Sequence, residues 1–262
     1  MEIVIDGDMI LYRAAHSAET ETKWCDSFWT LHTCEGELRD IAVDCIEHIE
    51  RKTNATNTIL VFSDKENFRY DIYPDYKGNR KDKRKPMGLM ALRDWLTTQY
   101  VTLVWDRLEA DDVIGIYCTK NKNTIAVSGD KDFATLPIRW YNHLKDETVH
   151  ITPEEARFNH AIQTLTGDTV DGFDGIKGVG PVTARKYLEK NGTSWASIVE
   201  LYEKKGLTED DALLTARLSY ILQVQDYNPE TKEIQLWLPN NQDSQTLGNT
   251  QSTKLELSET QK

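Results

Sequence analysis

Glu2-Ile3-Val4-Ile5-Asp6-Gly7-Asp8 is the stretch that decides the fold. Three β-branched residues in a row, stopped by an acid and a glycine, form a strand covered on both faces; a strand with one wet face would interrupt the run with polar side chains. The same design returns at Thr58 to Phe62, ended by Ser63-Asp64, at Val101 to Trp105, and at Thr124 to Ser128, ended by Gly129-Asp130. Between these runs the apolar period becomes helical. Leu38, Ile41, Ala42, Cys45, Ile46 and Ile49 mark one helix, Pro86 to Thr98 a second with proline in its first turn, and Glu109 to Thr119 a third. Strands alternating with helices predict an α/β fold over residues 1–152, a mostly parallel sheet flanked by helices.

From Pro153 the texture is helical: Pro153 to Leu165, Pro181 to Glu189, Trp195 to Lys204 and Glu209 to Val224. This predicts a second region over 153–225. Glu233 to Trp237 alternates, which predicts a return strand onto the first domain within 226–238. Residues 239–262 are rich in Asn, Gln, Ser and Thr and read as a disordered tail.

A chain of 262 residues, 39% hydrophobic and 28% charged, buries a full core and falls outside the disordered class. No apolar run approaches the roughly 18 residues of a membrane span. The opening MEIVIDGD has no basic leader. Cys25, Cys34, Cys45 and Cys118 have neither zinc nor disulfide-framework spacing and read as reduced thiols. Together these features predict a soluble, cytoplasmic protein with no membrane partner.

A net charge of −12 argues at first against a polyanionic partner, but the distribution matters more. Lys77 to Lys85 (KGNRKDKRK) carries six basic residues among nine. Tyr76, Lys77 and Arg80 follow a strand-end acid, as if to grip a backbone phosphate and stack on a base; Lys81, Lys83 and Arg84 extend the strip. A solvated loop is the plain alternative for the latter part.

Ligands of a parallel sheet sit beyond the carboxyl ends of its strands. Asp6, Asp64 and Asp130 stand at such ends. Glu109, Asp111 and Asp112 open the helix that follows another strand, with Glu109 and Asp112 on one helical face. Asp132 follows Asp130 by two, and Asp168 and Asp171 introduce the helical region. Any one of these alone is more often a helix cap or a turn residue. Placed together, nine carboxylates require a cation among them, and oxygen donors without His or Cys select hard ions such as magnesium or manganese. A pair of such ions is the usual apparatus of phosphodiester cleavage. Asp8 reads as a cap for the helix beginning near Met9 and stands outside the set.

Gly175 to Pro181 (GIKGVGP), running into Val182-Thr183-Ala184-Arg185-Lys186, is a helix-hairpin-helix pattern. Lys177, Gly178, Gly180, Thr183, Arg185 and Lys186 then form a seat for sugar and phosphate, binding without sequence preference.

These segments together resemble the 5′ nuclease and flap endonuclease family, closest to the 5′-to-3′ exonucleases of lytic short-tailed phages. The resemblance rests on VIDGD, VFSD, YKGNR, LEADDVIG, SGDKDF and GDTVDGFDGIKGVGP, and spans about Glu2 to Pro239. It implies a PIN-like nuclease domain with a helical DNA-binding region, and the nine acids as ligands of two Mg2+ or Mn2+ ions. Lys77 and Arg80 are implied at the scissile or adjacent phosphate, and a K+ ion at the glycine turn. The implied partner is double-stranded DNA with a 5′ end, nick or flap, with RNA-DNA hybrid as an extension, acted on by a monomer in the host cytoplasm. Lys77 to Pro86 is short for an arch that threads flaps, which favours exonucleolytic removal.

Two rival readings compete with this one. Asp6-Gly7-Asp8 after a strand suits a haloacid-dehalogenase-type phosphatase, with Asp6 as nucleophile and Asp8 as acid, but that reaction has no use for a helix-hairpin-helix. A non-catalytic DNA-end-binding module has no use for so many mutually repelling carboxylates.

Overall fold

β1 (Glu2–Asp6) occupies the middle of a six-stranded sheet, and everything chemical in the molecule is placed relative to its carboxyl end. The computed structural model describes residues 1–80 and 83–239; the expected tail from 240 on, Lys81 and Asp82 lie outside the described residues. In chain order come α1 (Gly7–Ser17), β2 (Glu19–Cys25), β3 (Phe28–Thr33), α2 (Glu35–Thr53), β4 (Asn57–Val61) and α3 (Arg69–Ile72). Then follow α4 (Leu89–Gln99), β5 (Val101–Leu103), α5 (Ala110–Lys120), β6 (Thr124–Val127), β7 (Arg139–Asn142) and β8 (Glu147–His150). The last part holds α6 (Pro153–Thr166), β9 (Gly167–Asp168), β10 (Phe173–Asp174), α7 (Pro181–Asn191), α8 (Trp195–Lys204) and α9 (Glu209–Ser219).

The sheet order is β5-β4-β1-β6-β7-β8, parallel except for β8. The pleat sorts β1: Ile3 and Ile5 pack with α1, α2 and α4, while Val4 packs with α5 and with Phe133 and Leu136. Both faces are therefore apolar, as the unbroken run requires. A separate core of Leu165, Ile176, Ala184, Leu188, Ile198 and Tyr202 holds the helical region. Its first and last long helices begin with side-chain caps: Thr152 with Glu155, and Thr208 with Asp211.

Four expectations change. The hairpin β2–β3 stands between α1 and α2, where the sequence pattern predicts no element, and leaves Trp24, Phe28 and Trp29 more than half exposed. The second helix starts at Leu89, after Gly88, so Pro86 precedes it instead of sitting in its first turn. The last helix stops at Ser219, and its exit, Tyr220 to Leu222, runs into buried contacts with α5 instead of continuing the coil. Glu233 to Trp237 forms no strand of the main sheet; a single bridge pairs Tyr227 with Ile234, and Tyr227 stacks on Trp105 with ring centroids 5.2 Å apart. No helix among the described residues is long and apolar enough to cross a membrane.

Candidate active site

The carboxyl ends of β1, β4 and β6 open on a cleft of about 580 Å3. At β1, Asp6 is buried and spends both oxygens: Oδ1 accepts the Met9 N–H at 3.1 Å, capping α1, and Oδ2 accepts the Ser128 hydroxyl at 3.0 Å. Gly7 is dictated by space, since a Cβ there would lie 2.4 Å from the Phe62 ring and 2.9 Å from the Val61 carbonyl. Asp8, in the first turn of α1, accepts the Ser63 N–H at 2.9 Å and lines the cleft. Asp6 thus takes the cap expected of Asp8 while still lining the cleft, and Asp8 lines it as well.

At β6, the Ser128 hydroxyl accepts the Asp130 N–H at 3.1 Å, and Asp130 caps the short 3-10 turn Lys131–Thr135 by accepting the Asp132 N–H at 2.9 Å. That turn brings both carboxylates to the cleft, where Gln163 of α6 donates to Asp132. At the start of α5, Glu109 and Asp111 line the same space, and the Ser63 hydroxyl accepts the Ala110 N–H at 3.0 Å. Asp171 arrives from the helical region. Asp168 stands just behind, its Oδ1 accepting the N–H groups of Val170 and Asp171 at 2.7 and 3.3 Å.

Three of the nine expected acids do not line the cleft: Asp168, and with it Asp112 and Asp64. Asp112 is fully buried on the Arg69 side of α5, its two oxygens taken by the Arg69 guanidinium at 2.6 and 2.9 Å, and one of them also by the Leu222 N–H at 3.1 Å. It does share a helical face with Glu109, but that face meets Arg69. Asp64 accepts the Arg107 N–H at 2.8 Å, which holds its carboxyl below the usual range and turns it to a neighbouring loop.

Lys77 and Arg80 enter from the segment after α3. Lys77 has a left-handed backbone, φ 53°, and its ammonium donates to Glu109 while lying 3.7 Å from Asp171. Arg80 donates to Asp171 at 2.5 Å. Tyr76 departs from expectation. It is 2% exposed, packed on Phe173 and Leu218, with its hydroxyl 3.0 Å from Glu109 and 3.1 Å from Asp171, so no base can stack on it. Arg84 is held by both oxygens of Glu19 at 2.6 and 2.8 Å and is not free for phosphate; Lys83 is exposed. Around the glycine turn, Lys177, Gly178, Gly180, Thr183, Arg185 and Lys186 are all exposed, and Gly178 takes a left-handed φ of 82° that favours glycine.

The electrostatics divide the cleft. Burial, then Asp8 and Asp130, push Asp6 up to about 7; burial and Asp130 do the same to Asp132. Burial with Asp6 and Asp130 raises Asp111 well above the carboxylate range. Glu109 moves the other way. Burial opposes its charge, yet Lys77 and Arg69 bring it down to about 2. One side is thus crowded with like charge and the other already neutralised by cations. The donors are oxygen throughout the crowded side, which fits hard divalent ions. Among the described residues no three of these acids already close on one point as a metal site.

Asp8, Ser63, Arg69, Ser128 and Gln163 were not among the expected site residues. Asp8 was legible from its strand-end position; for isolated Arg69 and Gln163, residue type and spacing carry no signal.

A family model described as 5′-3′ exonuclease, N-terminal resolvase-like domain, matches residues 2–160. The chain belongs to this 5′-3′ exonuclease family. Among its relatives, the exonuclease of Escherichia phage T7 is 29% identical, covering 90% of this chain and 93% of that one. A flap endonuclease Xni of Shewanella baltica is 31% identical over 64% of this chain and 71% of its own length. Of solved structures, the T5 D15 protein co-crystallised with metal ions superposes with a TM-score of 0.65 at 17% identity, covering 83% of this chain and 88% of that one. That likeness establishes the family's α/β fold, a largely parallel sheet flanked by helices.

Proposed function

We propose that this chain is a divalent-metal-dependent 5′-to-3′ exonuclease that hydrolyses DNA from 5′ ends and nicks, leaving 5′-phosphorylated products, in phage DNA replication and recombination and in degradation of host DNA. The reading rests on the family's N-terminal domain over residues 2–160. It rests above all on one observation: carboxylates from the ends of β1 and β6, from the start of α5 and from the helical region line a single cleft, with Lys77 and Arg80 seated on them.

Asp6, Asp8, Asp111, Asp130 and Asp132 are the residues that would hold two Mg2+ ions, Mn2+ substituting, with Glu109, Asp168 and Asp171 completing the set. Bound there, such ions supply an activated water and stabilise the leaving oxygen. The chain's own cations do the rest. Lys77 leaves Glu109 to meet the incoming phosphate, offsetting charge that develops on its oxygens, and Arg80 does the same from Asp171. Exposed Lys177, Arg185, Lys186 and Thr183 grip the duplex backbone, with a K+ ion at the Gly178 turn, so that the reacting strand enters without regard to sequence. Flaps and RNA primers are further substrates of this arrangement.

Digestion of 5′- and 3′-labelled duplexes, blunt, nicked and flapped, tests the proposal. Products released from the 5′ end with Mg2+ and none with chelator are expected; phosphate release from a small aryl phosphate without DNA cleavage would restore the phosphatase.

A further inference from the structure

Arg69 is a buried guanidinium, 3% exposed, and each of its five N–H groups has an acceptor. Nη1 donates to Asp112 at 2.6 Å and to Glu109 at 3.2 Å; Nη2 donates to Asp112 at 2.9 Å and to the Tyr220 carbonyl at 2.7 Å; Nε donates to the Leu218 carbonyl at 3.2 Å. These acceptors come from two places that are distant in sequence: the first turn of α5, which carries the cleft acids Glu109 and Asp111, and the exit of α9, where the helical region ends. Asp112 repeats the link by accepting the Leu222 N–H at 3.1 Å. A buried charge pair adds little stability beyond an apolar substitute, so stability alone does not account for this arrangement. A planar fork with five fixed donors sets relative position in a way a flexible ammonium cannot.

We propose that Arg69 is a positioning residue that fixes the exit of the helical region against Glu109, and so sets which phosphodiester of a bound duplex meets the cleft. The inference rests on the nuclease reading above. Arg69 touches no substrate. It acts through Glu109, whose other oxygen receives Lys77, and through α9, whose Leu218 packs on Tyr76.

Two variants test this in the full-length chain: Arg69→Lys, which keeps the charge and loses the fork, and the pair Arg69→Met with Asp112→Leu, which replaces the ion pair by apolar volume and covers the case in which the single variant does not fold. On 5′-labelled nicked duplex with Mg2+, the expected result is a turnover number about 10-fold or more below wild type at saturating DNA, with KM within about 3-fold, and a first cut spread over neighbouring phosphodiesters. Hydrogen exchange should quicken in the peptide spanning residues 218–222 and stay unchanged in α8. A role in stability alone predicts a lowered melting temperature with the cut position and the turnover of folded enzyme intact, and that result overturns the proposal. So does a loss confined to KM. A wild-type chain that cleaves no DNA removes the nuclease reading itself, whereas a wild-type chain that cleaves, with variants that cut at the same single position and rate, removes only the role of Arg69.

Discussion

The Lys77 N–H donates to the Asp171 carbonyl at 2.7 Å, so the residue whose ammonium reaches Glu109 is fastened by its backbone to the helical region. One residue thereby joins both halves of the cleft. Its left-handed φ of 53° is held by that bond and by the Arg80 N–H, which donates to the Lys77 carbonyl at 3.0 Å.

Lys77→Ala should therefore act on chemistry more than on binding. Loss of a cation aimed at developing charge predicts a turnover about 100-fold lower, with DNA affinity, measured by fluorescence anisotropy in calcium, within about 3-fold of wild type. An equal fall in affinity would remove Lys77 from the reacting phosphate.

Asp130→Asn removes a cleft carboxylate while preserving the cap on the 3-10 turn, because the amide oxygen still accepts the Asp132 N–H. Turnover should fall by at least about 100-fold, DNA binding should persist, and the Mg2+ concentration for half-activity should rise. Titration of activity against Mg2+ for both proteins is the check.

Gly7→Ala places a methyl group against the Phe62 ring and the Val61 carbonyl. Overpacking at the junction of β1 and α1 should cost about 1–3 kcal/mol, read as a lower denaturation midpoint in urea with an unchanged slope.

His160 supplies a pH signature independent of the cleft. Burial lowers its pKa to about 4, and its Nε2–H donates to the Ala216 carbonyl at 2.9 Å. The unfolded chain takes up the proton near 6.5 and the folded protein only near 4, so stability present above 6.5 is lost as pH falls through that window. The full span amounts to about 3 kcal/mol. His160→Gln keeps an N–H donor and does not titrate, so its melting temperature should depend less steeply on pH between 6.5 and 4 than that of wild type. Parallel curves would count against a neutral, buried His160.

Much of the sheet and the acidic edge was legible in the sequence, because continuous β-branched runs ending at Asp specify both burial and position. Asp6 and Asp130 are where their strands end. What escaped is whatever depends on a distant partner. Asp112 reads like Asp111, and only the burial of Arg69 on the other side of α5 separates them. Tyr76 reads as an exposed ring beside cations until Phe173 and Leu218 cover it. The hairpin Glu19–Thr33 has mixed polarity on both faces, so neither period announces it, and its aromatic tip is exposed. Glu233 to Trp237 alternates as a strand does, yet Trp237 is drawn instead to the rings of Trp195 and His160.

Tyr220 and Leu222 supply the last partners of the Arg69 and Asp112 pair, although both lie some sixty residues beyond the segment that defines the family. The ion pair itself closes within residues 2–160, but the Leu218 and Tyr220 carbonyls that take two further Arg69 N–H groups, and the Leu222 N–H given to Asp112, come from beyond it. A fragment ending near residue 160 would thus keep the salt bridge while leaving two buried Arg69 N–H groups without the acceptors they have in the whole chain.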